Sequence, residues 1–160
     1  MYYAPYYNAG WGFRQTGMPI PYTALQESIQ IMHDAVAGES NMEAYYRNLI
    51  ELAPSDTERT IIASIRDDER KHLQIYREIY KAFTGNEVQV TVPLTPLNEA
   101  TSYEDALKKV LFHKWNMLQK AGSILAAMPT GYYQNLLAKI AVDNVAIVSK
   151  WSFLLSSLRR

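Results

Sequence analysis

Apolar residues recur at steps of three and four along four long stretches of this chain, and that period is the signature of helices with one buried face. The first stretch runs from about Thr23 to Ala53 and stops before Pro54. The second starts at Ser55, whose spacing to Glu58 is that of a capping box, and ends near Thr84 with Gly85 just beyond. The third opens at Thr101 or Ser102, with Glu104 and Asp105 in its first turn, and runs to Met128 before Pro129; the fourth runs from about Gly131 to Leu158. Short turns around Pro54 and Pro129 make each pair an antiparallel hairpin. Residues 85–100 hold Val88, Val90, Val92, Pro93 and Pro96 and read as an extended connector. Its reach of about 50 Å exceeds the length of about 42 Å of a helix this size, so it can cross the whole bundle and leave helices two and three parallel. The expected fold is all-α: hairpins 23–84 and 101–158, a crossover over 85–100, and an irregular arm over 1–22.

A chain of 160 residues with 48% hydrophobic and 20% charged residues suits one globular domain. Its formal net charge of zero argues against a nucleic-acid partner, which would need a basic face to displace counterions. The balance is uneven, however: residues 1–80 sum to −4 and residues 81–160 to +4. There is no cysteine, which removes disulfides, Cys-ligated zinc, iron–sulfur clusters and thiol nucleophiles together and makes a reducing cytosol the default expectation. No stretch approaches the length of a transmembrane helix, and the Tyr-rich N-terminus does not read as a signal peptide. The arm carries Tyr2, Tyr3, Tyr6, Tyr7, Trp11 and Phe13 between prolines and glycines. Such aromatics pack either on their own domain or on a partner.

The two hairpins repeat each other. An ungapped shift of 75 residues superposes Asn41 on Asn116, Met42 on Met117, Pro54 on Pro129, Ile65 on Ile140 and Asp68 on Asp143, which points to an internal duplication. Read along a 3-4 heptad seam, the helices present mostly apolar residues to the bundle axis, from Leu25 to Ile50 on helix one, Ile62 to Phe83 on helix two, Leu107 to Ile124 on helix three and Leu137 to Leu154 on helix four. The exceptions are Glu39 and Glu43 on helix one, Glu69 and His72 on helix two, Lys114 on helix three and Asn144 on helix four, all near mid-helix. Charged groups at seam positions are expensive to bury unless they are paired or bind a metal. Tyr46 and Tyr76 fall within about two turns of this group; they read either as hydrogen-bond partners of the carboxylates or as ordinary aromatic core. His33 and His113, beside the seam, read as solvent-side or interface histidines.

One Glu from one helix and a Glu-x-x-His from its antiparallel neighbour make half the ligand set of a carboxylate-bridged di-metal bundle. On these residues, with Ala37-Gly38-Glu39, Tyr46 a heptad later and the run Asp68-Glu69-Arg70-Lys71-His72, residues 24–158 resemble the ferritin-like superfamily, and within it rubrerythrin-type bacterial bundles without the Cys-rich rubredoxin module. The resemblance implies a ferritin-like antiparallel four-helix bundle whose two halves each supply one Glu and one Glu-x-x-His to a pair of irons that reduce peroxide or oxygen. Only Glu39, Glu69 and His72 carry over. The 75-residue shift places Lys114 opposite Glu39, Asn144 opposite Glu69 and Ile147 opposite His72, so the second half lacks its ligands.

Lys114 divides the remaining readings. An ammonium close to Glu39 and Glu69 takes the place of a second metal's charge and repels a cation, leaving a metal-free core in a non-catalytic structural or interaction protein. If Lys114 instead snorkels outward on its stem, Glu39, Glu69, His72 and water suit a single iron, manganese or zinc ion, the site of a metal-binding protein or metal-dependent oxidoreductase. The cofactor expectation is therefore none, with one such ion as the alternative. Homo-oligomer formation is expected, a dimer through faces holding Trp115, Phe153 and Leu155, or else a protein partner through the arm. A Tyr-rich arm on a metal-free bundle is also similar in composition to bacterial spore-coat proteins, which adds the spore, in a spore former, to the cytosol as an expected location. Hydrolase and transferase chemistry has no support: Gly-rich phosphate loops, Gly-x-Ser-x-Gly and His-Glu-x-x-His are all missing.

Overall fold

A computed structural model of the chain describes residues 22–89 and 102–158. These are all-α, with no strand among the described residues: α1 Tyr22–Ala37, α2 Glu39–Leu52, α3 Asp56–Thr84, α4 Tyr103–Ala127 and α5 Tyr132–Ser157. The aromatic residues of the arm and most of the expected crossover lie outside the described residues. No helix among the described residues is long and apolar enough to cross a membrane.

Side chains chosen for helix ends set the boundaries. The Ser55 hydroxyl accepts the Glu58 N–H at 3.3 Å and donates to the Glu58 carboxylate at 3.1 Å, which starts α3 just after Pro54. At the other end Gly85 takes a left-handed φ of 73° and its N–H bonds the Lys81 carbonyl at 2.8 Å, a conformation that glycine enters without a Cβ clash. Ser102, rather than Thr101, caps α4 by accepting the Asp105 N–H at 3.1 Å.

The sequence period predicts one helix over 23–53, and the structure breaks it at Gly38. There φ remains −81° while ψ opens to 1°. The Gly38 N–H still reaches Asp34 O at 3.0 Å, and the Gly38 carbonyl accepts from both Asn41 and Met42 at 3.1 Å. One turn is thus tightened within a nearly continuous rod, at a residue type that weakens helices. A Cβ at this position would stand 3.3 Å from Asp34 O, so the local geometry also leaves little room for another side chain.

The α1–α2 rod packs on α3 and α4, and α5 packs on the same two helices, so α3 and α4 face each other across the diagonal. Two apolar clusters fill the ends. One joins Tyr46 and Leu49 with Ile62 and Ile65, Leu107, and Ile147, Trp151 and Leu154. The other joins Met32 and Val36 with Tyr76 and Ile79, Ile124 and Met128, and Leu137 and Ile140. The end of α2, the start of α3, the start of α4 and the end of α5 therefore share one end, which makes packed neighbours antiparallel and α3 parallel to α4.

The heptad seam matches burial closely on α3 and α5 but drifts on α2. Beyond Tyr46 the buried positions are Leu49 and Ala53, while Ile50, assigned to the seam by strict heptads, is only half-buried. Tyr46 and Ala53 stay a heptad apart, so only the step between them changes, three then four residues in place of four then three. Phe83, at the end of the α3 seam, is likewise exposed rather than core. Leu49→Ala is expected to cost about 2–5 kcal/mol in urea unfolding, and Ile50→Ala clearly less; the reverse order would restore the strict heptad.

Candidate functional site

Between the two apolar clusters lies a polar layer. Glu69 and His72 sit on the same buried stripe of α3 as Ile62, Ile65, Tyr76 and Ile79, so helical geometry carries both inward. Lys114 on α4 and Asn144 on α5 are buried by the same logic. All four line a cavity of about 580 Å³, together with Gly38, Asn41, Tyr46 and Tyr76.

Lys114 Nζ lies 2.8 Å from Glu69 Oε1, and each residue is only 8% exposed. This contact bridges the diagonal, between two helices whose backbones do not pack on each other. The attraction is Coulombic more than directional, because Oε1 finds no hydrogen-bond partner of good geometry. His72 Nε2 stands 3.3 Å from Asp143 Oδ2 at the edge of the layer, which ties α3 to α5.

Glu39 and Glu43 do not join them. The seam assignment placed both on the bundle axis, but each is about a quarter exposed and turned to an arginine of α3: Glu39 to Arg77, and Glu43 to Arg70 through two bonds of 2.5 and 2.6 Å. Arg70 and Arg77 are one heptad apart, each a single position past a buried seam residue, Glu69 or Tyr76. Carboxylates on the facing rod gain a guanidinium there while keeping part of their hydration, which offsets the cost of full burial. Hydrogen bonding to Arg70 holds Glu43 below the usual carboxylate pKa, despite partial desolvation.

The tyrosines differ in how they are satisfied. Tyr45 donates to the Ala106 carbonyl at 2.7 Å, and desolvation, then Asp105, pushes its pKa up to about 12. Tyr46 is 1% exposed, its ring stacks on Trp151 with centroids 6.0 Å apart, and its hydroxyl has no partner among the described residues. Burial first, and the Glu69 carboxylate second, raise both Tyr46 and Tyr76 well above the ordinary phenol range, so both remain O–H donors at neutral pH. His113 stands on the cavity wall, where desolvation and then the adjacent Lys114 ammonium lower its pKa. His33 is half-buried against Tyr80 and Asp34, away from the layer.

The structure thus brings together Glu69, His72, Lys114, Asn144, Tyr46 and Tyr76, and leaves Glu39 and Glu43 at the rod's edge. Among the described residues no three His, Asp or Glu side chains converge in a group able to hold a metal ion. Sequence reasoning matched Asp143 to Asp68 across the two hairpins but gave it no place at the site; one step before buried Asn144, it reaches His72 from the flank. It also missed Asn41, whose amide oxygen faces no partner among the described residues.

No family model matches the chain, and no solved structure matches it. A segment of 70 residues is 37% identical to the Uncharacterized protein YhjR of Bacillus subtilis (strain 168), covering 44% of this chain and 48% of that protein. The match therefore spans about half the length of the relative.

Removing the Lys114 charge strands a buried carboxylate, so Lys114→Met is expected to cost about 3–5 kcal/mol in chemical denaturation. Lys120→Met, at an exposed cavity-wall position, is expected to cost far less. The depressed pKa of Glu43 carries a second expectation. Its contribution to stability is complete above the unfolded-state value of about 4.3 and is lost as pH falls through the lower folded value. Glu43→Gln should therefore flatten the decline in stability with acid below that point; an unchanged acid limb would show that the Arg70 pair is not formed in solution.

Proposed function

We propose that the chain is a ferritin-like, rubrerythrin-type four-helix bundle that has lost half of its di-metal ligands and serves as a non-catalytic structural or interaction protein. The observation that carries this reading is the Lys114–Glu69 ion pair, which puts an ammonium 2.8 Å from the carboxylate that a metal would otherwise share. The residues present do not fit a di-iron centre. Glu39 is engaged by Arg77, Asn144 is an amide, Ile147 is apolar and fully packed in the core, and the buried Glu69 Oε1 already faces a cation. A second reading, one iron, manganese or zinc ion on Glu69 and His72, rests on these two buried residues lining the same cavity; it requires Lys114 to swing away and Glu39 to leave Arg77.

In the non-catalytic reading, work is done at the surface. Phe112 and Trp115 stand exposed on α4 with their rings edge to face at 5.1 Å, and Val142, Val145 and Phe153 are exposed on α5. Apolar side chains so placed suit a homodimer or a protein partner, and the Tyr-rich arm adds a second adhesive element. Such a component belongs in the cytosol or, in a spore former, in the spore.

Metal content decides between the readings. Protein produced with iron, manganese or zinc supplied in turn is expected to retain far less than one ion per chain; two tightly held irons would overturn the proposal, and one stoichiometric ion would establish the second reading. Restoring the second half as Lys114→Glu, Asn144→Glu and Ile147→His is expected to raise iron binding above the parent. No gain would show that the 75-residue register does not relate the two halves.

A further inference from the structure

The cavity beside the ion pair holds an unusual concentration of unmatched polarity. Five buried side-chain oxygens or nitrogens among the described residues lack a hydrogen bond of good geometry, and three of them belong to residues lining this one cavity: Glu69 Oε1, which faces the Lys114 ammonium, and Asn41 Oδ1 and Tyr46 Oη, which have no partner among the described residues. Leaving such groups unpaired costs about 1–3 kcal/mol each, and native cores rarely tolerate several together. The rest of the wall is largely apolar, with Met42, Leu73, Tyr76 and Met117 prominent. A volume of about 580 Å³ lies within the range of small-molecule sites.

We infer that this cavity is a binding site for a small neutral amphipathic molecule, an alcohol or phenol, whose hydroxyl enters the polar layer while its apolar body lies against the methionine and tyrosine wall. A hydroxyl both donates and accepts. It can donate to Asn41 Oδ1 and accept from Tyr46, as neither an ammonium nor a carboxylate can. At the polar layer Lys114 and Glu69 already cancel each other's charge, so a charged head group bound there would lose its hydration without gaining a counter-ion; the other charged residues of the wall, Asp34, Lys109 and Lys120, are exposed to solvent. The gain would come from satisfying groups that the fold leaves unmatched, which makes binding selective for the head group rather than for apolar bulk. The inference stands on the cavity and holds whether or not the bundle descends from a metal protein.

Titration calorimetry with hexanol, hexylammonium and hexanoate at neutral pH tests it on the intact chain. The expected result is saturable binding of one hexanol per chain, with the two charged analogues at least about tenfold weaker, the difference of a single charge-burial or hydrogen-bond step. Tyr46→Phe separates a ligand contact from a structural one. Deleting an unpartnered buried hydroxyl should leave stability equal or higher, yet weaken hexanol binding about fivefold or more. Met117→Trp, which fills the cavity, should abolish binding with helix content unchanged. Absence of saturable hexanol binding, equal affinity for all three head groups, or undiminished binding by Tyr46→Phe would each overturn the inference.

Discussion

A single ion pair across the diagonal of the bundle is the constraint on which the interior depends. Lys114 and Glu69 come from helices that do not pack on each other, and both residues are almost wholly buried. Two such charges are tolerated only as a pair, because removing either leaves the other without compensation in a medium that solvates it poorly. The pair therefore fixes the relative height of α3 and α4, helices that do not pack on each other, and it lies between the apolar clusters at the two ends.

The other charges on the inner faces are arranged around this pair. Glu39 and Glu43 move to the edge of the rod, where Arg77 and Arg70 meet them and water still reaches them. His72 turns to Asp143, which is partly exposed. What remains inside is a cavity edged by the Gly38 break, with unpartnered polar atoms on a largely apolar wall. The ammonium at the centre of the layer thus both pairs with Glu69 and forms part of the wall of this cavity.

Much of this was legible from sequence because helices write their buried faces at a fixed period. The α3 stripe from Ile62 to Ile79 and the α5 stripe from Leu137 to Leu154 follow the seam residue for residue, and the inward placement of Glu69, His72, Lys114 and Asn144 follows with them. The first rod was less legible. Beyond Gly38 the buried stripe keeps Tyr46 and Ala53 a heptad apart but passes through Leu49 rather than Ile50 between them, and Glu39, directly after the break, is only partly buried. Partner choice was the other blind spot. Periodicity says which way a side chain points from its own helix, but not that Arg77 on a neighbour will claim Glu39, or that off-seam Asp143 will reach His72.

The most direct measurement is the coupling free energy between Lys114 and Glu69, from a double-mutant cycle using Lys114→Met, Glu69→Gln and the combined variant. For an ion pair formed in the core the predicted result is a favourable coupling of about 1–3 kcal/mol, with the double variant more stable than the sum of the single losses implies. Coupling indistinguishable from zero would contradict it, and would mean that the lysine leaves the core and the carboxylate is free for another partner.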